Sequence, residues 1–248
     1  MSRNLVFIID IKKDGKTKKE YQISIDSWRH WTKKYDHELL TLEEPVTDMN
    51  YMGIIWQRYY LFDLLDASEL KFNQICIVDA DTIIHPDAPD FFKLTENKYT
   101  LVHDDGNFDW IIRSMENYNK HLFTDQPIFN WYEYFNSGFQ VVNNTHRDFF
   151  KTMRDFYIEN SEMISWCQKT YGVGTDQTPL NYLLRKHKIE TKALPYSFNM
   201  SCMAAKECLN EQMLHTKAGH IMHFNGLPNK DETVPYWMEK TYKHLYEY

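Results

Sequence analysis

Two carboxylates stand two residues apart, at Asp79 and Asp81, directly after the apolar run Ile75–Val78. In an extended chain, residues i and i+2 project to the same side, so both carboxylates should face one crevice. Two like charges this close either share a proton or hold a cation, and hard divalent ions such as Mn²⁺ and Mg²⁺ prefer oxygen ligands. The pattern therefore indicates a metal site, although a turn with two hydrated carboxylates would have the same sequence.

The chain has no glycine-rich loop that would bind phosphate groups through backbone amides. Neither G-x-G-x-x-G nor a Walker sequence occurs, so any phosphate group bound by this chain would have to be neutralised by a metal ion and basic side chains. Haloacid-dehalogenase-like phosphatases also place Asp-x-Asp after a buried strand, usually the first, with a Thr four residues after the first Asp. Here Thr82 follows after three, and a strand and a helix precede the motif, which counts against a phosphatase.

Short apolar runs and longer amphipathic stretches alternate along the sequence. The runs, which predict buried strands, are Leu5–Ile9, Ile75–Val78, 139–142 and 221–224. The helical stretches contain Ile23, Trp28 and Trp31; the segment from about Met52 to Leu65; Phe149, Phe150, Met153, Phe156 and Tyr157; and Leu180, Leu183 and Leu184. This order predicts an α/β fold with a mostly parallel central sheet flanked by helices.

Ligands of such sheets lie beyond the carboxyl ends of the strands. The polar residues and the glycine just past the predicted strands are Asp10, Asp79, Asp81, Asn143, Asn225 and Gly226. We therefore expect these residues to share one edge of the sheet and to border one ligand site.

The composition argues against a protein whose main ligand is nucleic acid. Lys and Arg number 28 against 35 Asp and Glu, a formal charge of −7, whereas binding to a phosphate backbone needs concentrated positive charge. The one basic run lies between Lys12 and Lys19. It indicates a solvated loop or a hairpin turn around Asp14-Gly15, or else a lip that attracts an anionic substrate.

The sequence predicts a cytoplasmic protein without a membrane span. After Met1–Asn4, only about seven apolar-rich positions follow, too few for a signal-peptide core or a transmembrane segment. The four cysteines form no C-x-x-C pair and are expected to be reduced.

Three further motifs follow the Asp-x-Asp pair. Together with the Asp-x-Asp motif itself they make four: Val78-Asp79-Ala80-Asp81-Thr82, Tyr134-Phe135-Asn136-Ser137-Gly138, Asp176-Gln177 with Leu180-Asn181, and His223-Phe224-Asn225-Gly226 with Lys230. In type and order they resemble nucleotide-sugar glycosyltransferases of the GT-A fold, most closely the family 8-like glycogenin and galactosyltransferase group. Lys230 is one residue further from His223 than is usual, and Thr178-Pro179 replaces small residues, so the subfamily, donor and stereochemistry stay open.

The resemblance implies a metal-dependent transferase that moves a hexose-type sugar from a nucleotide-diphosphate sugar to an acceptor hydroxyl. A UDP-sugar is favoured as donor, and a glycan, a protein or a small molecule would be the acceptor. Mn²⁺ (or Mg²⁺) would be held by Asp79, Asp81 and His223; a lone histidine is otherwise structural. No linker or repeat marks a boundary, so one domain is expected over residues 1–248, with the donor bound by about 1–105 and acceptor binding and closure in about 106–248.

Further donor contacts are implied along the chain. The expected donor-binding residues are Asp10, Arg58, Asp79, Asp105, Asn136, Ser137, Gly226 and Lys230. Arg58 falls on an apolar helical stripe, where a guanidinium needs an anionic partner, either the donor or a core carboxylate. Lys230 would bind the leaving diphosphate when the loop 226–230 closes.

Asp176, Gln177 and Asp104 are the catalytic residues that the resemblance implies. It favours retention of configuration, in which the acceptor hydroxyl attacks the face that the nucleotide leaves and a phosphate oxygen takes the proton. An inverting enzyme would instead need a carboxylate base within about 3 Å of the acceptor hydroxyl, a role for Asp176 or Asp104. Adjacent carboxylates such as Asp104-Asp105 are otherwise usually solvated.

Aromatic residues cluster in the stretch expected to flank the acceptor: Trp110, Trp131, Tyr132 and Tyr134. Aromatic faces stack on sugars, although core packing would explain these residues equally well.

Two other functions fit parts of the sequence. A sugar nucleotidyltransferase would carry a glycine-rich loop with Arg and Lys near its N-terminus, whereas the basic run here has one glycine, Gly15. A carbohydrate-binding protein without catalytic activity would share the fold, but the presence of both aspartates and His223 argues against it.

Overall fold

Strands and helices alternate along the chain in the computed structural model, which describes residues 3–12 and 16–247. The strands are β1 (Leu5–Ile9), β2 (Glu38–Leu42), β3 (Ile75–Val78), β4 (Thr82–Ile84), β5 (Tyr99–His103), β6 (Phe135–Val142), β7 (Thr191–Leu194) and β8 (Ile221–His223). The α-helices are α1 (Lys19–Tyr35), α2 (Leu61–Ala67), α3 (Phe108–Leu122), α4 (Arg147–Tyr171), α5 (Gln177–Lys186), α6 (Leu214–Ala218) and α7 (Lys230–Tyr246). Short 3-10 helices are Ile54–Tyr60, Phe91–Leu94, Trp131–Glu133, Asn144–His146 and Tyr196–Phe198.

The hairpin turn expected around Asp14-Gly15 lies outside the described residues. Within the described ranges, no helix combines the length and the apolar character needed to cross a membrane.

The central sheet has the strand order β2-β1-β3-β6-β5-β7. β1 pairs in parallel with β2 and β3, and β5 pairs in parallel with β7. β6 is antiparallel to both of its neighbours, β3 and β5. All strands of this sheet except β6 therefore run in one direction, which confirms the predicted α/β fold with a mostly parallel sheet flanked by helices.

The reversed direction of β6 exchanges the two ends of that strand. Its first residue, Phe135, pairs with His103 at the carboxyl end of β5. Asn143, which follows β6, lies at the opposite edge of the sheet, where its side chain donates to the carbonyl of Asn97 (2.8 Å). The expectation that Asn143 shares the ligand edge is therefore wrong, because an apolar run predicts burial but not strand direction.

The predicted strand 221–224 becomes β8, which lies outside the central sheet. It pairs with β4 in an antiparallel two-stranded ribbon, in which Thr82 faces His223. Trp28 of α1 donates from Nε1 to Thr82 Oγ1 (3.0 Å), and the Thr82 hydroxyl donates to the carbonyl of Asp79 (2.8 Å). The ribbon is thus fixed to the loop after β3 and carries His223 to it.

The segment predicted as one helix from about Met52 to Leu65 is a 3-10 helix followed by α2. Arg58 is buried within it, whereas Ile55 is 40% exposed. Phe62 and Leu65 of the predicted stripe are buried and Ile54 is partly buried. Ile55 alone departs from the stripe, since a 3-10 helix repeats every three residues.

Apolar side chains cover both faces of the central sheet. Phe7 and Ile77 belong to one buried cluster, whereas Ile8 and Val78 pack in another together with Trp28 of α1. Successive residues of β1 and β3 therefore point to opposite covered faces. This explains why both strands appear in the sequence as continuous apolar runs.

Acid should destabilise the fold through two buried histidines. Burial lowers the pKa of His146 and of His215 to about 4, while the unfolded imidazole has a pKa near 6.5. Unfolding therefore takes up protons between about pH 6.5 and pH 4, so stability that is complete above pH 6.5 is lost as the pH falls through this window. We expect each histidine to contribute roughly 1–3 kcal/mol to this loss.

Urea unfolding at pH 7.5 and pH 4.5 measures this effect. His146→Gln and His215→Gln should each reduce the difference in unfolding free energy between the two pH values, even though both lower stability at pH 7.5. His187→Gln is the matched control, because His187 is exposed. Equal pH differences in all four proteins would contradict the prediction.

Candidate active site

Asp79, Asp81 and His223 meet beyond the carboxyl end of β3. One ligand atom from each residue lies within 4.8 Å of the other two. His223 Nε2 is 3.7 Å from Asp79 Oδ2 and 3.2 Å from Asp81 Oδ1. The imidazole is buried, while both carboxylates are partly exposed. Two carboxylate oxygens and one imidazole nitrogen suit Mn²⁺, or Mg²⁺ with additional water ligands.

Backbone hydrogen bonds bring these residues together from distant parts of the sequence. The amide of Asp79 donates to the carbonyl of Gly138 in β6 (3.1 Å), and the amide of Phe224 donates to the carbonyl of Asp81 (2.9 Å). The Asp-x-Asp segment is therefore held between the central sheet and the β4–β8 ribbon.

The imidazole of His223 balances part of the negative charge of this site. Burial would lower the pKa of His223, but the Asp81 carboxylate reverses the effect and raises it. Burial would likewise raise the pKa of Asp81, yet His223 holds it below its ordinary value. The buried imidazole and the partly exposed carboxylate thus form a charge-assisted pair.

Arg58 is the buried cation behind the carboxylates. Its Nη2 donates to Asp79 Oδ1 (2.6 Å), its Nη1 to the carbonyl of Ser137 (2.7 Å), and its Nε lies 3.8 Å from Asp176 Oδ2. Burial would lower the pKa of Arg58, but Asp79 and Asp176 raise it, so the guanidinium stays charged. The anionic partners of Arg58 in the structure are therefore the partly exposed Asp79 and the buried Asp176; a contact between Arg58 and the donor stays a prediction.

Gly138 allows the ligands to approach β6 closely. A Cβ atom at this position would lie 2.4 Å from His223 Cε1, 2.7 Å from Asp79 Oδ2 and 3.0 Å from Asn136 Oδ1. Real Cβ atoms do not approach other atoms to 2.4 Å, so any larger residue would displace His223 or Asp79.

Asp104 is a buried carboxylate whose two oxygens both accept hydrogen bonds. Oδ1 accepts from the amide of Gly106 (2.9 Å), and Oδ2 accepts from Asn136 Nδ2 (3.2 Å) and Gln177 Nε2 (2.7 Å). Gln177 Oε1 in turn accepts from the amide of Ser137 (3.1 Å). The structure therefore joins four of the predicted site residues, from β6, α5 and the loop after β5, in one network.

Asp176 lies deeper, at the start of α5, and is 2% exposed. Its Oδ1 accepts from Ser137 Oγ (3.1 Å) and its Oδ2 from the hydroxyl of Tyr59 (3.1 Å). Burial raises the pKa of Asp176, and Arg58 partly opposes the shift. This carboxylate is held by protein groups, and Arg58 links it to Asp79.

A cavity of about 220 Å³ opens beside the Asp-x-Asp segment. Its lining is mostly apolar and consists of Ile9, Ile11, Tyr21, Ile54, Ile55, Arg58, Ile77, Val78, Asp79, Ala80 and Asp81. Asp10, between two lining residues, turns its carboxylate to Thr17 Oγ1 (2.8 Å), and burial raises its pKa. Asp10 is therefore adjacent in sequence to two residues that line the cavity, but its own side chain does not line it.

Three predicted donor-binding residues lie outside the buried network. Asp105 pairs with Lys206 (3.1 Å), and Gly226 sits exposed in a left-handed turn after β8. Lys230 begins α7 and is exposed. The structure therefore places all three at the surface, and their contacts with a donor stay predictions.

The four aromatic residues expected near the acceptor lie in different surroundings. Trp110 is partly buried and packs edge to face against Tyr134. Tyr134 is fully buried and bonds to Thr178 Oγ1 (2.7 Å), so it belongs to the core. Trp131 and Tyr132 are 42% and 58% exposed, and Trp131 packs edge to face against Phe108, which is 55% exposed. These three exposed rings, Phe108, Trp131 and Tyr132, form what we call the aromatic patch.

Several residues of the site were not predicted from the sequence. Gly138 is the last residue of the motif Tyr134-Phe135-Asn136-Ser137-Gly138. Its place in that motif was the one signal for it in the sequence. Tyr59 and Lys206 carried no signal, because a single polar residue in a loop or beside an apolar run has many roles.

Comparisons with known proteins agree with this geometry. Residues 8–231 match the sequence profile of the family described as Glycosyl transferase family 8. No curated protein matches the chain.

Several solved structures share the fold at low sequence identity. A glycosyltransferase involved in the glycosylation of the major capsid of PBCV-1 superposes with a TM-score of 0.63 at 10% identity, over 96% of this chain and 99% of that one. The glycosyltransferase GlyE of Streptococcus pneumoniae TIGR4 gives 0.52 at 12% identity, over 99% of this chain and 62% of that one. Mouse xyloside xylosyltransferase 1 gives 0.51 at 9% identity, over 91% and 100%.

The family profile covers most of the chain, and the aspartate pair and the histidine that carried the sequence resemblance meet in space. The protein belongs to glycosyl transferase family 8 and is a glycosyltransferase of the GT-A fold.

Proposed function

We propose that this enzyme transfers a hexose-type sugar from a UDP-sugar to a carbohydrate or glycoconjugate hydroxyl, with retention of configuration and with Mn²⁺ or Mg²⁺ as cofactor. The observation that carries the proposal is the convergence of Asp79, Asp81 and His223, whose ligand atoms lie within 4.8 Å of one another. The cytoplasmic location expected from the sequence stays a prediction.

The residues present fit a divalent cation. Asp79 Oδ2, Asp81 Oδ1 and His223 Nε2 face one another, and the missing side chain of Gly138 leaves room beside them. A cation bound there would supply Lewis-acid stabilisation of the charge on a departing diphosphate. The protein holds Asp79 in place through Arg58, which leaves the other carboxylate oxygen turned towards His223.

The cavity beside Asp79 and Asp81 suits a nucleobase. Ile9, Ile11 and Ile55 give it apolar walls, and Tyr21 adds an aromatic ring. Small-molecule sites commonly combine such walls with a few polar groups that fix orientation. A base in this cavity would place the attached diphosphate next to the aspartates, which supports a nucleoside-diphosphate donor.

The hydrogen bonds that the buried carboxylates of Asp104 and Asp176 already accept support retention of configuration. Asp104 and Asp176 both accept hydrogen bonds on each oxygen from protein donors. Taking a proton from an acceptor hydroxyl would cost either residue part of this network. In the proposed reaction, the bond from C1 to the diphosphate breaks, the acceptor oxygen bonds to C1 on the same face, and a phosphate oxygen takes the hydroxyl proton.

The aromatic patch supports a saccharide acceptor. Phe108 follows Asp104 by four residues, and Tyr132 precedes Asn136 by four residues. The aromatic patch is therefore close in sequence to two residues of the site, one after β5 and one in β6. Four residues span at most about 14 Å, the length of two or three sugar units. Exposed rings next to a transfer site offer flat apolar faces to such a chain.

Ion-dependent stabilisation by nucleotide is the first test. UDP with Mn²⁺, at about 100 times its dissociation constant, should raise the melting temperature by about 5–10 °C. UDP in chelator should give a much smaller shift. Asp81→Asn should abolish the ion dependence, since it removes the charge and keeps the shape.

Asp87→Asn is the control for that experiment, because Asp87 is exposed. An equal shift with and without the ion in the unmodified protein would contradict the metal assignment. Loss of UDP-sugar hydrolysis in Asp81→Asn, with hydrolysis intact in Asp87→Asn, separates an active enzyme from a silent binding protein.

Gly138→Ala should damage the metal site through its added methyl group. Because this Cβ would lie 2.4 Å from His223 Cε1, we expect Mn²⁺ affinity to fall at least about tenfold. Gly53→Ala is the matched control, since a Cβ there meets no atom within 4 Å. Isothermal titration with MnCl₂ measures both. Unchanged affinity in Gly138→Ala would show that the ligands do not need this close approach.

Trp131→Ala should weaken acceptor binding without slowing hydrolysis of the donor by water. The loss of one stacking ring should raise the KM for a saccharide acceptor about three- to tenfold. Trp166→Ala is the control, because both indoles are 42% exposed and Trp166 packs on His121, about 20 Å along α3 from Phe108. Equal acceptor KM values in the two variants, measured on acceptors found by screening an oligosaccharide panel with the donor, would contradict this assignment.

A further inference from the structure

The imidazole of His223 has a protein partner on the side away from the carboxylates. His223 Nδ1 lies 3.1 Å from Asn199 Oδ1, and Asn199 is 1% exposed. A neutral imidazole carries a proton on one nitrogen and a lone pair on the other, and only the lone pair binds a metal. The partner of Nδ1 therefore decides whether Nε2 is available as a ligand.

Backbone amides fix which atom of each asparagine faces which partner. The amide of Gly138 can only donate, so the atom of Asn136 that lies 2.8 Å from it must be the oxygen. The amide of Gly106 likewise bonds to a carboxylate oxygen of Asp104, and Asn136 Nδ2 donates to the other oxygen of that group. The orientation of Asn136 is thus set by partners whose chemistry is not ambiguous.

The orientation of Asn199 follows from that of Asn136. Asn136 Oδ1 can only accept, so the atom of Asn199 that lies 2.9 Å from it must be the nitrogen. The oxygen of Asn199 therefore faces His223 Nδ1, which must carry the proton. Nε2 is left on the side of Asp79 and Asp81, where a cation would take the place of a proton shared with Asp81.

Asn199 is placed by the same backbone that places His223. The amide of Met200 donates to the carbonyl of Ile221 (2.8 Å), and the amide of His223 donates to the carbonyl of Met200 (2.9 Å). The segment around Asn199 therefore runs beside β8, and the amide side chain and the imidazole keep their relative positions.

We propose that Asn199 is a positioning residue that holds His223 in the tautomer with a free Nε2 and links the metal site to the Asp104 network. This inference rests on the proposed metal-dependent transfer and adds a residue to it. Asn199 acts through His223 and has no direct contact with the cation.

Two substitutions at this position separate the role from simple packing. Both substitutions remove the donor that bonds to Asn136 Oδ1. Asn199→Asp keeps an oxygen that can accept the Nδ1 proton of His223, whereas Asn199→Leu has a similar size and removes that acceptor as well. We expect Asn199→Leu to lower Mn²⁺ affinity about 10- to 100-fold, and Asn199→Asp to stay within about threefold of the unmodified protein. Electron paramagnetic resonance of free Mn²⁺, recorded without nucleotide, measures these affinities.

A double substitution tests whether Asn199 changes Mn²⁺ affinity through His223. In His223→Gln, a further Asn199→Leu change should alter Mn²⁺ affinity less than twofold, because coupled residues are not additive. If Asn199→Leu does not fold by circular dichroism, Asn199→Ala replaces it in both backgrounds.

The outcomes distinguish this inference from the proposed function. Mn²⁺ binding by the unmodified protein with equal affinity in Asn199→Leu overturns the role of Asn199 and leaves the metal site standing. Equal losses in Asn199→Asp and Asn199→Leu also overturn it, since they indicate a structural contact to Asn136. No Mn²⁺ binding by the unmodified protein overturns the metal site, and this inference with it.

Discussion

The repulsion between Asp79 and Asp81 is the constraint on which the rest of the site depends. Two carboxylates can face one crevice only if positive charge is placed around them without filling it. Arg58, buried behind the sheet edge, bonds to one oxygen of Asp79, and His223 pairs with Asp81 on the other side. The side that stays partly exposed is the one that a cation and a diphosphate would reach. A buried cation without such partners would be strongly destabilising, so Arg58 and the carboxylates require each other.

This charge arrangement depends on two reversals of chain direction. β6 runs against its neighbours, so that Asn136, Ser137 and Gly138 lie at the carboxyl edge of β3 and β5, where a parallel strand would have placed residues from its other end. The β4–β8 ribbon returns the chain to the Asp-x-Asp loop and brings His223 with it. Residues more than a hundred positions apart therefore meet at one end of an otherwise parallel sheet.

The sequence predicted the fold class and that Asp79, Asp81 and His223 would lie together, but not the contacts that hold these residues in place. Aspartates directly after a buried run lie at its carboxyl end whatever the sheet order, which is why Asp79 and Asp81 were found. Asn143 was expected at the wrong edge of the sheet, because hydrophobic periodicity predicts burial and gives no information on strand direction. Asn199 was missed because the partner of an amide side chain is set by tertiary structure. Arg58 is buried as its place on the predicted stripe indicated, whereas Ile55 is exposed because this segment begins as a 3-10 helix.

The hydrogen bonds of Asn136 join the two halves of the site. Its single oxygen accepts from both the Gly138 amide and Asn199, while its nitrogen donates to Asp104. Because Gly138 lies against His223 and Asp79 and because Asp104 bonds to Gln177, a displacement at either end changes the geometry at Asn136 and reaches the other end. Buried polar networks in which every member is bonded are rigid, and losing one member leaves others unpaired. The three residues of the candidate metal site and the Asp104 carboxylate therefore form one energetic unit, in which the contribution of any single residue depends on the presence of the others.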